Sequence, residues 1–160
     1  MLRLSKLADY AVVVLLRLSQ GEAVQTAPGI ALATGVPEPT VAKVLKALAA
    51  GGLVTSQRGA RGGYRLARPL GAVSVADVVT AIDGPIALTA CVEGSGAGCL
   101  AEHQCPCRGR WDLVNAAVRQ ALSAVSLAAM SAHAPRPFPP RPPMAAPPAA
   151  LAAPAPHFAE

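Results

Sequence analysis

Apolar residues recur at steps of three and four along the start of the chain, at Leu4, Leu7, Ala11, Val14, Leu15 and Leu18. That period predicts an amphipathic helix, which Gly21 ends. A short helix is predicted over 27–33, interrupted at Gly35. Another is predicted over 40–50, with Val41, Val44, Leu45 and Leu48 on one face and Gly51-Gly52 as the stop. Pro37 and Pro39 belong before that helix or in its first turn, where a missing amide costs little.

The period then changes. Leu53-Val54-Thr55-Ser56 and Tyr64-Arg65-Leu66 flank a glycine-rich turn at 59–63, which predicts a β-hairpin. Ser74 is placed to cap a helix over 75–82, with Asp77 where a capping box expects a carboxylate, and Asp83-Gly84-Pro85 ends it. Residues 86–108 have no periodicity. Beyond them Trp111, Val114, Val118, Ala121, Val125 and Ala128 mark one long helix with an apolar seam.

The 160 residues are 52% apolar but only 3% aromatic, so the core is built from Ala, Val and Leu. Ala and Leu lead the helix scale, whereas strands favour aromatic and β-branched residues, so a mainly α fold is expected. The longest aliphatic run, 11–16, is far short of the roughly 20 residues that cross a bilayer. Asp9 before that run and Arg17 after it also make a poor secretory signal. A cytoplasmic protein with no membrane partner is therefore expected. From 132 to 160 there are 29 residues with ten of the chain's 16 prolines, which reads as a disordered Pro/Ala-rich tail. Arg136 and Arg141 there could lend weak affinity for nucleic acid.

Charge changes the picture. The chain carries a formal +5, with a pI near 9.4. No acid lies between Glu38 and Asp77, while the interval holds Lys43, Lys46, Arg58, Arg61, Arg65 and Arg68. Six cations without counter-charge repel one another, and a polyanion would relieve that repulsion through phosphate contacts and counterion release. Two short helices about Gly35-Val36-Pro37, followed by a hairpin, make a winged helix-turn-helix, whose second helix enters the major groove. Pro39, Thr40 and Lys43 then face double-stranded DNA, and Arg58 and Arg61 sit at the hairpin tip, suited to phosphates or a narrow minor groove. No nucleophile–base pair or phosphate loop is present, so an enzyme with a small-molecule substrate is not expected.

Cys91, Cys99, Cys105 and Cys107 fall within 17 residues. In a reducing compartment clustered thiols more often hold a metal or sense redox state than form structural disulfides. None of the spacings is the Cys-x2-Cys of a zinc ribbon. The glycines at 94, 96 and 98 let the loop wrap a bulky group and offer amides to its sulfurs, which suits an iron–sulfur cluster. A zinc ion or a bare thiol switch remain alternatives on spacing, and so does an electron-transfer protein, although that leaves the acid-free stretch without purpose.

Several segments carry a resemblance. Arg3-Leu4-Ser5-Lys6 leading to Asp9-Tyr10-Ala11, the run Gly35 to Leu45, Gly51-Gly52-Leu53-Val54 and the run Arg58 to Tyr64 resemble the IscR/NsrR-type family of bacterial iron–sulfur winged-helix regulators. Cys105-Pro106 and Arg108-Gly109-Arg110-Trp111 look most like the branch that regulates the SUF cluster-assembly operon. The likeness runs in order over about residues 2–131. It implies a homodimeric transcriptional regulator, usually a repressor of palindromic operators, whose long C-terminal helix pairs across the dimer. It implies a 2Fe–2S or 4Fe–4S cluster on Cys91, Cys99 and Cys105. IscR-like members take a His three residues after the last of these as fourth ligand, and here that position is Arg108. NsrR-like members use an Asp of the first helix from the other subunit, and Asp9 matches it; Cys107 is a second candidate, while His103 in the loop is expected to be solvated. The family's wing arginine falls on Arg58 and its groove-facing residues on Thr40 and Lys43. Trp111 is expected to anchor in the core. The expected organisation is a DNA-binding domain over 1–84, a cluster loop over 85–108, a dimerisation helix over 109–131 and the tail beyond.

Overall fold

A computed structural model describes residues 3–21, 23–59, 62–92, 94–95, 98–99 and 104–132. The tail beyond 132, Arg61 and His103 lie outside them. Each early helix starts where a side chain can take up free backbone amides. Ser5 Oγ accepts the Ala8 amide at 3.0 Å and opens α1 (Lys6–Leu18). Leu4 therefore precedes the helix it was expected to join, and it is half exposed. Thr26 Oγ1 accepts from the Gly29 amide to open α2 (Ala27–Thr34), and Gly35 closes it in the left-handed conformation (φ 71°) that glycine adopts without strain. The third helix, α3 (Glu38–Ala50), begins two residues earlier than its apolar period suggests, because Pro39 is tolerated in a first turn.

Val41, Val44, Leu45 and Leu48 of α3 are fully buried against Ala11, Val14, Leu15 and Leu18 of α1 and Ile30 of α2. Burying each such leucine or valine contributes about 1.5–3 kcal/mol. The antiparallel wing follows, β1 (Val54–Gln57) and β2 (Gly63–Leu66), with Val54 opposite Leu66 and Gln57 opposite Gly63. It is not free-standing. Gln25, just before α2, exchanges two backbone hydrogen bonds with Tyr64 at 2.8 and 2.9 Å, so it acts as a short third strand that docks the wing onto the helices.

After a single 3-10 turn at Leu70–Ala72 comes α4 (Val75–Asp83). Its capping box is reciprocal: the Asp77 carboxylate accepts the Ser74 amide at 2.8 Å, and Ser74 Oγ accepts the Asp77 amide at 3.1 Å. Arg68, at the base of the wing, reaches the same carboxylate at 3.1 Å. One cation of the acid-free stretch is thus neutralised by the acid that ends it, contrary to the expectation that nothing nearby offsets the repulsion.

The expected long helix is broken. α5 (Trp111–Ala124) stops at Val125, whose extended backbone (φ −100°, ψ 111°) pairs with the strand leading into α4. Val75 donates to the Val125 carbonyl and Leu127 to the Val73 carbonyl, each at 2.9 Å. The chain resumes as α6 (Leu127–Ala132), and Leu127 is buried in the main core. The β-branched Val125 and the pull of Leu127 into that core override a helical period that runs through both. Trp111, expected in the core, is 42% exposed at the start of α5.

Two tests follow from this packing. A Cβ at Gly63 would lie 2.5 Å from the Gln25 carbonyl oxygen and 2.7 Å from Val24. Gly63→Ala should therefore cost about 1–3 kcal/mol of unfolding free energy through overpacking, read as a lower midpoint in urea titration. For Asp77, burial alone would raise the pKa, but hydrogen bonds from Ser74 and the charge of Arg68 outweigh it and hold the group below its ordinary value. Its contribution is thus fully present above the carboxylate range of the unfolded chain and is lost as pH falls through the depressed folded value. Asp77→Ala should cost about 1 kcal/mol at neutral pH, and the gap should close in acid.

Candidate nucleic-acid interface and cysteine loop

Because one face of α3 is buried, its other face must point outward. Pro39 and Lys43 are exposed and Thr40 is half-buried, all within the first two turns. Lys46 continues the same outer surface, and neither lysine has an ion-pair partner among the described residues. Arg58 is exposed immediately after β1, at the tip of the docked wing. Arg65 leans along the wing, its Nε donating to Thr55 Oγ1 at 3.2 Å. Among the described residues of the acid-free stretch, the cations without an ion-pair or side-chain hydrogen-bond partner are therefore Lys43, Lys46 and Arg58, on the two elements that a winged helix-turn-helix presents to a duplex.

The cysteine loop is tied to α5 by one residue that the sequence reading missed. Asn115 is 3% exposed, the one buried polar residue among those described. Its Oδ1 accepts from the Leu88 amide at 3.1 Å and its Nδ2 donates to the Ile86 carbonyl at 2.9 Å. Two main-chain groups with no secondary-structure partner are satisfied at once. The signal was an Asn in helical register with Trp111, Val118 and Leu122 of the apolar seam. A few residues on, Thr89 Oγ1 lies 3.3 Å from Cys91 Sγ, and Val92 is buried. The first part of the loop is thereby fixed to α5.

Cys91, Cys99 and Cys105 are half-buried and Cys107 is exposed; all four are free thiols. Among the described residues no three His, Cys, Asp or Glu side chains converge into a metal-holding group. Asp9 is exposed on α1. It lines a groove of about 770 Å³ with Arg3, Lys6 and Val12, Val75 and Val79 of α4, and Met130 of α6. The donor chemistry nevertheless fits a soft metal centre, since thiolates are the ligands of iron–sulfur clusters.

α5 leaves Trp111, Leu113 and Val114 exposed by 42, 81 and 46%, and Val125 just past its end by 42%. No helix is long and apolar enough to cross a membrane among the described residues.

The order of helices, docked wing and buried recognition-helix face defines a winged helix-turn-helix DNA-binding protein. Residues 4–133 match the family model Rrf2, described as an iron-dependent transcriptional regulator. The chain belongs to the Rrf2 family of transcriptional regulators. It is 36% identical over 124 residues to protein aau3 of Rhizobium meliloti (strain 1021), covering 77% of this chain and 76% of that one. It is 30% identical over 112 residues to the regulator IscR of an Enterobacter species (strain 638), covering 69% and 68%. Among solved structures it is similar to CymR (YrzC), the global cysteine regulator of B. subtilis, with TM-score 0.63, 26% identity and coverage of 84% and 100%. It is also similar to T. potens IscR, with TM-score 0.58, 27% identity and coverage of 84% and 93%. The family is one of transcriptional regulators, not of enzymes.

Replacing Asn115 tests the tie between loop and helix. Asn115→Ala leaves the Leu88 amide and Ile86 carbonyl without partners and should cost about 1–3 kcal/mol in thermal or urea unfolding. Alkylation of Cys91 should quicken in the same variant, with exposed Cys107 as the unchanged internal control.

Proposed function

We propose that this regulator senses an iron–sulfur cluster and controls, as a repressor, genes of iron–sulfur cluster assembly in the manner of the SUF branch. The observation that supports it is four free thiols in one loop, fixed at its start by Asn115 to the helix that follows, in a chain whose other half is a DNA-binding unit. Cys91, Cys99 and Cys105 would hold the cluster, 2Fe–2S or 4Fe–4S. Asp9 of the opposite subunit would complete it, as the match of its position to NsrR-like members implies. When bound, the cluster supplies a centre that iron starvation, oxidants or nitric oxide can remove or alter. The protein's own part is mechanical. Asn115 and Val92 tie the loop to α5, and main-chain bonds at the far end of α5 tie it to the approach to α4.

In this reading the protein is a cytoplasmic homodimer joined through the exposed apolar side of α5. It consists of a DNA-binding domain over 1–84, the loop over 85–108, a dimerisation segment over 109–131 made of α5 and most of α6, and a Pro/Ala-rich tail from 132. Pro39, Thr40 and Lys43 face the major groove of a palindromic operator, and Arg58 and Arg61 contact the flanking backbone or minor groove. In a symmetric dimer the half-site spacing is a geometric constraint, so a small rotation of the two DNA-binding units changes affinity.

The test is anaerobic purification with iron, sulfide and zinc analysis, followed by footprinting of loaded and stripped protein on its own promoter and on cluster-assembly promoters. Protection that differs between the two forms supports the reading; zinc without iron, or no protected promoter, overturns it. Arg58→Ala should weaken operator binding and reduce the salt slope by about 1, as loss of one phosphate contact does, with iron content unchanged.

A further inference from the structure

We propose that Cys105 and Cys107 form a reversible disulfide in the cluster-free protein, with a low-molecular-weight disulfide of the glutathione class as oxidant. The bond would withdraw Cys105 and so close the loop to cluster loading; this last step rests on the function proposed above, the disulfide itself does not.

The cluster reading uses three cysteines and leaves Cys107 over, the most exposed thiol of the four. It is separated from Cys105 only by Pro106, and the segment is a tight turn. The Arg108 amide donates to the Cys105 carbonyl at 3.2 Å, and the Arg110 amide to the Cys107 carbonyl at 3.0 Å. Cys105 thus opens a β-turn with proline at its second position, where the fixed proline angle is favoured. Two Cα steps of about 3.8 Å, bent through that turn, bring the two cysteines inside the roughly 4.4–6.8 Å window of disulfide Cα separations. Cys91 is engaged differently, beside Thr89 Oγ1 on the segment fixed to α5.

The difference in exposure sets the order of events. The Cys107 thiolate, open to solvent, attacks the glutathione disulfide; its S–S bond breaks, a Cys107–glutathione bond forms, and one glutathione thiolate leaves. Half-buried Cys105, too enclosed to meet the bulky oxidant first, then attacks the Cys107 sulfur and displaces the second glutathione. Two protein thiols are oxidised, one glutathione disulfide is reduced to two glutathiones, and the two thiol protons pass to the departing thiolates. A bridge across a single residue is strained, which places it among labile disulfides that a reducing pool reopens.

The experiment uses full-length protein stripped of metal, treated anaerobically with glutathione disulfide, alkylated, digested and mapped by mass spectrometry. A Cys105–Cys107 cross-link as the main product, absent in Cys107→Ser, is expected. A persistent glutathione adduct on Cys107, or a bridge between Cys91 and Cys99, overturns the pair. The same samples are then offered ferrous iron and sulfide and followed by their visible absorption. Oxidised wild type should fail to load until dithiothreitol is added, whereas oxidised Cys107→Ser should load as well as its untreated form. If Cys107→Ser cannot load even before oxidant, Cys107 is a ligand and the proposal falls. If reduced wild type never loads, the cluster reading fails and the gating with it, while the peptide map still decides the disulfide.

Discussion

The apolar stripe of α3 is the constraint on which the rest of the molecule depends. With Val41, Val44, Leu45 and Leu48 sealed against α1 and α2, the helix has one rotation about its axis, and Pro39 and Lys43 have no direction but outward. Rolling the helix by even a quarter turn would bury a lysine and expose a leucine, at several kcal/mol for each. The core thus aims the outer face of α3 without contributing an atom to it. The wing is held to the same reference, since Gln25 pairs with Tyr64 just before α2 begins, and Arg68 at its base is anchored on Asp77 of α4. Helix and wing tip are therefore parts of one rigid surface.

The second half of the chain is held by fewer and more polar contacts. Where the first three helices interlock through leucine and valine, the start of the cysteine loop rests on two hydrogen bonds from Asn115 and the burial of Val92. Such an arrangement is specific, because a buried amide fits only where both its donor and its acceptor are met, and it is also easier to disturb than a leucine core.

Much of the fold could be read from the chain because its early elements are each locally consistent. Ser5, Thr26 and Ser74 cap where apolar periods begin, and Gly35 stops where a left-handed residue is needed. What was not legible came from distant partners. Nothing near Val125 announces that its carbonyl will pair with Val75, fifty residues earlier, so the apolar period ran on through the break. Trp111 was expected in the core because it opens the apolar seam, yet it sits in the first turn of α5, one turn before buried Asn115, and there it stays 42% exposed. For the candidate site, residue type and spacing marked the outward positions on α3 and the grouped thiols. The tie through Asn115 escaped, because the groups it satisfies are backbone atoms, which look alike in every sequence.

The small clasp between 73–75 and 125–127 has a consequence for how the two halves communicate. It is made of peptide groups, so side-chain changes at Ser74 and Ser126 leave its hydrogen bonds standing, and only a residue lacking an amide could unfasten it. With the loop stitched near one end and this clasp near the other, α5 behaves as a beam supported at two points. Through the clasp α5 is joined to the segment entering α4, whose Asp77 carboxylate holds Arg68 at the root of the wing.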